Sequence, residues 1–430
     1  MLLSSLIFLF YTAFFIFILY RLSLKQSFVL SFKEASLAFI VKVLAGCFYG
    51  YFFLHYYGGD DTWFYHNESL KEFALLKSDP IHFFINDIFS NGYTTNQLQT
   101  VFDSSGSFAK DLEYTLLIKL LAIFDLFSGG NYYVNVTFYN AIVFSGCYCL
   151  YKTVVTKYPE KKLLWLLFIF YFPPLLFWTS GIRKDGLSFA LTCGLIYQLY
   201  YLFEIRKSVK HIFYAVLIFF ILFLLRNYIA LTFLPVVIAY TISKKYPRFT
   251  AGIFALIIML CATGFFITGY VSPTLNLPQK MADRQQAFLE LKGNSYLPTD
   301  TLDGNFFSYM KVLPQALNHV FIRPYFSEAK GILYLFSFLD IAFFFFVLIR
   351  IFFKPSLNYI QILKDPFVLS LLTIALLNYI IIGYTVPFLG AIVRYRASFE
   401  ILIIIVFIAM QTNPFNTNFL KRKNNSTISS

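Results

Sequence analysis

Residues 250–271 read TAGIFALIIMLCATGFFITGYV, an apolar run without a single charge. At 1.5 Å per residue, a helix over this run is about 33 Å long, enough to cross the roughly 30 Å hydrocarbon core of a bilayer. Runs of the same kind recur from end to end. They cover 4–20, 36–57, 131–155, 163–180, 187–204, 211–225, 228–243, 331–353, 366–385 and 397–411. The composition agrees with them. Of 430 residues, 58% are hydrophobic, 21% aromatic and only 13% charged, against about 25% charged in soluble domains. A water-soluble fold cannot hide so much apolar surface and still cover itself with polar groups, so soluble enzymes, disordered chains and small disulfide scaffolds are excluded. The expected fold is all-α: a polytopic integral membrane helical bundle of about eleven transmembrane helices.

The net charge of +13 does not indicate nucleic-acid binding. The basic residues sit in short clusters between apolar runs, where membrane orientation places them, and not on one broad polar face. One set of loops holds Lys152, Lys157, Lys161 and Lys162; Arg206, Lys207 and Lys210; Lys244, Lys245 and Arg248; and Lys421, Arg422 and Lys423. By the positive-inside rule these loops are cytoplasmic, which puts the N-terminus outside and the C-terminus inside. The first run has no basic residue before it and no small-residue cleavage site after it, so it reads as a retained span. Sixteen of the 22 acids fall on the opposite side. That side carries two long extracytoplasmic segments, 58–130 and 272–330, and tight turns near 181–186, 226–228 and 386–396. Within the first segment, Leu112 to Phe127 reads as an interfacial helix stopped by Ser128-Gly129-Gly130. Residues 1–411 form a single bundle, and 412–430 a polar cytoplasmic tail.

Long polar segments on one face place the working surface there. The sequence HYYGGDDTWFYHNESL (55–70) ends a span, turns through Gly58 and Gly59, and presents Asp60 and Asp61 at the membrane surface. Paired carboxylates in that position suit a general base, and equally a solvated helix end. A second cluster, FWTSGIRKDG (177–186), places Arg183, Lys184 and Asp185 on the outer side, against the orientation rule. Arg226, Arg323, Arg394 and Arg396 do the same from other segments. A lone arginine at a helix end is usually a headgroup anchor. Several from separate segments point to an anion, and the planar guanidinium fork suits phosphate oxygens.

Lys42, Asp340 and Glu400 lie within apolar runs and must face protein or water. Structural ion pairs are the simplest reading: Glu400 with Arg396 one helical turn away, and Lys42 with Asp340 across helices. The five cysteines fall in apolar runs and indicate neither disulfides nor zinc. The histidines lack a metal-ligand spacing. No phosphate-binding glycine loop and no nucleotide domain is present, which disfavours a nucleotide-sugar substrate.

The layout resembles the GT-C superfamily of membrane glycosyltransferases, such as protein O-mannosyltransferases and the lipid A aminoarabinose transferase. The resemblance rests on Gly59-Asp60-Asp61 opening the first outer segment, followed by Tyr65-His66. It continues through the helix Tyr114 to Phe127, the run Asn131 to Val155 with Lys152 and Lys157, Phe172-Pro173-Pro174, and the outer turn Ser180 to Gly186. It ends on Arg394-Tyr395-Arg396 before a late helix. It implies transfer of a sugar from a polyprenyl-phosphate-linked donor to a glycan or lipid acceptor on the extracytoplasmic face of a bacterial inner membrane. Asp60 or Asp61 would be the catalytic base. Arg183, Lys184, Asp185, Arg226, Arg323, Arg394 and Arg396, with Tyr65 and His66, would bind substrate. Some members of the superfamily also use a divalent metal beside the acidic motif. Two alternatives stay open: a polymerase of lipid-linked oligosaccharide repeat units, and a lipid-linked glycan transporter. The expected partners are the lipid-linked donor, the acceptor and membrane lipids, with no nucleic acid.

Overall fold

The computed structural model describes residues 2–85, 108–271, 275–291, 295–328, 331–353 and 364–410. The expected tail 412–430 and residues 86–107 of the first long segment lie outside them. The described residues are helical, with no strand among them beyond an isolated bridge between Tyr296 and Phe388. The helices are α1 (Leu2–Ser23), α2 (Phe32–Tyr57), α3 (Asp61–Ser78), α4 (Pro80–Ile85), α5 (Phe108–Ser128) and α6 (Tyr132–Lys157). Then follow α7 (Lys162–Phe170), α8 (Pro173–Ser180), α9 (Lys184–Tyr200), α10 (Val209–Leu225), α11 (Asn227–Lys245) and α12 (Thr250–Val271). The last five are α13 (Leu277–Leu289), α14 (Phe306–Phe321), α15 (Ile332–Phe353), α16 (Pro366–Thr385) and α17 (Leu389–Met410).

Each apolar run proves helical, but the runs are not all of one kind. Among the described residues, 7 helices are long and apolar enough to cross a membrane. They are α1, α2, α9 with its continuation to Ile205, α11, α12, α15 and α16. The expected single span 163–180 is broken: α7 and α8 meet at 47°. Pro173 and Pro174 carry no N–H, so they can open a new helix but cannot continue the old one. Counting that pair as one span makes 8. The run 211–225 is α10, an apolar helix shorter than a full span. Tyr132–Lys157 is long, but Asn135, Asn140 and several tyrosines interrupt its apolar surface. Leu389–Met410 carries Arg394, Arg396 and Glu400. This last helix also begins earlier than expected, so Arg394 and Arg396 stand on its first turns and not in a loop.

Local sequence explains the main boundaries. Ser31 and Glu34 form a reciprocal capping box at the start of α2, satisfying two backbone donors. α2 ends at Gly58 (φ 71°) and Gly59 (φ 122°), both in the left-handed region open to glycine. Asn131 caps α6 through Tyr133 N and Val134 N. The expected helix 112–127 is α5, which packs against α3 and buries Leu117, Leu121 and Asp125.

α6 is the centre of the bundle and packs against α1, α2, α5 and α9. Its approach to α9 is close because Gly146 faces the backbone of Ala190. Small residues allow such crossings where lipid supplies no hydrophobic drive between helices. The second long segment folds back over one end of the bundle. Leu297 N donates to Pro387 O at 2.7 Å, and Leu389 N to Ser295 O at 2.8 Å. α13 and α14 are thereby tied to the α16–α17 turn. We expect Gly146→Val to force α6 and α9 apart and destabilise the detergent-solubilised protein by about 1–3 kcal/mol, as overpacking does. Gly252→Val, where a side chain meets nothing, should leave the melting temperature unchanged; equal melting curves for both variants would refute this picture of the crossing.

Candidate functional site

Four helix junctions meet at the end of the bundle covered by α13 and α14: α2–α3, α8–α9, α10–α11 and α16–α17. Each contributes charge. Asp60 occupies the N-cap of α3 and Asp61 its first position. Arg183 is the N-cap of α9, with Lys184 and Asp185 in the first turn. Arg226 is the single residue between α10 and α11, and Arg394 lies near the start of α17.

Arg183 joins the two groups that the sequence reading held apart. One terminal nitrogen binds Asp60 and the other binds Asp61. The Arg183 side chain is 3% exposed, that of Asp60 21% and that of Asp61 56%. Tyr49 completes the bridge: its hydroxyl accepts from Arg183 Nη1 at 3.0 Å and donates to Asp60 Oδ2 at 3.3 Å. Burial alone would lower the basicity of Arg183. The neighbouring Tyr49, Asp61, Asp60 and Asp185 outweigh it and hold the guanidinium well above the ordinary arginine range.

Asp185 is the hub of the remaining cations. It accepts from Arg226 at 3.0 Å and lies 3.2 Å from Arg394 Nε and 3.7 Å from Arg183 Nε. Arg394 also reaches Asp61 Oδ2 at 3.9 Å. Lys184 pairs with Glu113 of α5 at 2.9 Å and stands 4.0 Å from the ring centre of Tyr114. Arg183, Lys184, Arg226 and Arg394 thus face Asp60, Asp61, Glu113 and Asp185, and the group is charge-balanced. Beside it a narrow cleft is lined by Asp185, Ser188, Arg226, Tyr228, Tyr395 and Ser398, among others. Tyr65 lies next to the group, with its ring 5.8 Å from Tyr114.

The turn that carries Arg183 is fixed from two helices. Tyr139 of α6 donates to Arg183 O, and Asn140 Nδ2 donates to Ser180 O at 2.9 Å. Lys42 of α2 donates to Thr179 Oγ1 at 2.9 Å and Ser180 Oγ at 3.2 Å. The expected Lys42–Asp340 pair does not form. Lys42 instead meets the hydroxyls that end α8, and Asp340 meets Arg396.

Three expected site residues lie elsewhere. Arg396 turns into the bundle, 3.6 Å from Asp340 and 4.0 Å from Glu400, so the Arg396–Glu400 pairing is as expected. Its Nη1 also donates to Arg323 O at 2.7 Å. Arg323 pairs with Glu328 at 2.9 Å. His66 is buried with its ring against Trp63 and Tyr132, and burial pushes its imidazole below the usual range. The sequence reading missed Tyr49, Glu113, Tyr114, Tyr228 and Arg284. Of these only Glu113 left a signal, as one of the few charges scattered along an apolar helix.

A divalent ion beside Asp60 and Asp61 does not fit this arrangement. Arg183 already occupies the space between the two carboxylates, and no three His, Cys, Asp or Glu side chains converge as metal ligands among the described residues.

Removing the hub leaves buried cations without a counter-charge, which typically costs about 3–5 kcal/mol. Asp185→Asn should therefore lower the melting temperature sharply, while Asp61→Asn, at the exposed rim, should cost about 1 kcal/mol or less. The reverse order would contradict the assignment of the hub. A second expectation concerns His319 on α14, which burial and the Arg323 guanidinium lower to about 4. Unfolded histidine titrates near 6.5. Between these values the unfolded chain binds the proton and the folded one does not, so stability falls as pH drops from about 6.5 to 4. His319→Phe should flatten that part of a melting-temperature profile; an unchanged slope would refute the contribution.

Comparison of the chain with protein-family models, with curated proteins and with solved structures finds no match.

Proposed function

We propose that this protein is a membrane glycosyltransferase that moves a sugar from a polyprenyl-phosphate-linked donor to a hydroxyl of a glycan or lipid acceptor. The observation that carries the reading is the convergence of two adjacent carboxylates and four cations, from chain segments far apart, beside one cleft at the end of a bundle of membrane-length helices. A carboxylate for proton removal and fixed cations for a departing phosphate are the two things such a reaction needs. The distribution of Lys and Arg supports an extracytoplasmic position for this end.

In this reading the acceptor hydroxyl attacks the anomeric carbon. The new carbon–oxygen bond forms as the bond to the phosphate oxygen breaks, and the electron pair leaves on phosphate. The acceptor proton passes to a carboxylate. Asp61 is the better placed of the pair because it is the more exposed. Arg183 and Arg394 both reach its Oδ2, so Oδ1 is the oxygen assigned to the proton. Asp60, held by Tyr49 and Arg183, keeps the guanidinium in place. The donor phosphate carries one negative charge and the released lipid phosphate carries two. The added charge is what Arg183, Arg226, Arg394 and Lys184 would stabilise as it develops. Phosphate is a good leaving group, so no strong general acid is required.

Reconstituted protein supplied with polyprenyl-phosphate-linked hexoses or pentoses and membrane acceptors should form one new glycosidic bond per turnover. Asp61→Asn should slow this by about 10²–10⁴-fold, the usual contribution of a general base, at unchanged expression. Full activity in Asp60→Asn, Asp61→Asn and the double variant would remove the acid pair from the mechanism. A ladder of repeat units would identify a polymerase instead, and lipid translocation without a new bond a transporter.

A further inference from the structure

The charged group described above is balanced, but one more cation stands beside the same cleft, against a residue that lines it. Arg284 of α13 lies with its guanidinium carbon 5.2 Å from the ring centre of Tyr228, and Tyr228 lines the cleft together with Arg226 and Asp185. No acid pairs with Arg284 among the described residues; its recorded neighbours are the rings of Tyr228 and Phe288. It is half-buried. The next residue, Gln285, donates to Tyr384 O at 2.9 Å and to Asp300 O at 3.1 Å, and accepts from Leu302 N at 2.7 Å. Those bonds anchor α13 to the end of α16 and to the strap before α14. The neighbouring guanidinium lies against Tyr228, one wall of the cleft. An arginine resting on a ring keeps its planar donors free for a bidentate acceptor.

We propose that Arg284 is a substrate-binding residue that takes the donor phosphate at the mouth of the cleft, opposite Arg226. The inference rests on the glycosyl-transfer reading for the ligand, and on the geometry above for the residue. It supplies one positive charge beyond those that the described carboxylates around the cleft neutralise, which matches a phosphodiester carrying a single negative charge. It also gives the second outer segment a part in recognition: α13 reads the lipid phosphate directly.

The test is binding of polyprenyl phosphate and of the phosphate-free polyprenol to the full-length protein, followed by native mass spectrometry in detergent. Arg284→Gln should weaken polyprenyl phosphate by about 10- to 100-fold, the range for a lost hydrogen bond to a charged group. Arg284→Lys should recover part of that loss, and polyprenol should bind all three proteins alike. In turnover, Arg284→Gln should raise the donor KM with little change in kcat. Equal polyprenyl phosphate binding by wild type and Arg284→Gln would overturn the assignment while leaving the glycosyl-transfer reading intact. An equal loss of polyprenol binding, with a lowered melting temperature, would overturn it in favour of a structural role. Failure of wild type to bind polyprenyl phosphate at all would instead remove the function on which the inference rests.

Discussion

The structure depends on the need to neutralise charge at the edge of an apolar bundle. Arg183 sits almost fully buried at the start of α9, and it is tolerable there because Asp60 and Asp61 close on it from the next junction. Asp185, two residues on, does the same for Arg226 and Arg394. In a medium where an unpaired ion is costly, these pairings dictate which helix ends adjoin. The interactions that assemble the candidate site therefore also hold the ends of four helix junctions together. Site and fold are coupled at Asp185, and much less so at the exposed Asp61.

Much of this could be read from the chain. The apolar runs mark the helices, because span length is a property of the bilayer and not of tertiary context. Gly58 and Gly59 mark the turn, because only glycine enters that backbone region freely. Cations placed against the orientation rule at Arg183, Arg226 and Arg394 do converge. What the chain does not reveal is which face a charged residue presents. Arg394 and Arg396 stand two apart on α17, so the helical twist sends one to the cleft and the other towards Asp340. No periodicity in a nearly all-apolar helix records that difference. Lys42 is hidden for a related reason: its partners are the hydroxyls of Thr179 and Ser180, and hydroxyls carry no charge signature. Arg284 lies in a polar helix, where one arginine looks like any other until α13 is placed against Tyr228.

Two charged groups share α17, one at the cleft and one deeper in the bundle with Asp340 and Glu400. Arg396 also reaches the carbonyl of Arg323, which lies just beyond α14. The second long segment is thus attached to α16, to the α16–α17 turn and to α17 in turn: by the Gln285–Tyr384 bond, the Leu297–Pro387 contact and the Arg396–Arg323 bond. A segment so well fastened behaves as part of the site wall.

The break between α7 and α8 has a mechanical consequence. α8 is a rod of 8 residues, about 12 Å long, running from the break at Phe172 to the turn that carries Arg183. The proline break thus sets Arg183 at the end of a short arm of its own, whose direction Lys42 and Asn140 fix at Thr179 and Ser180.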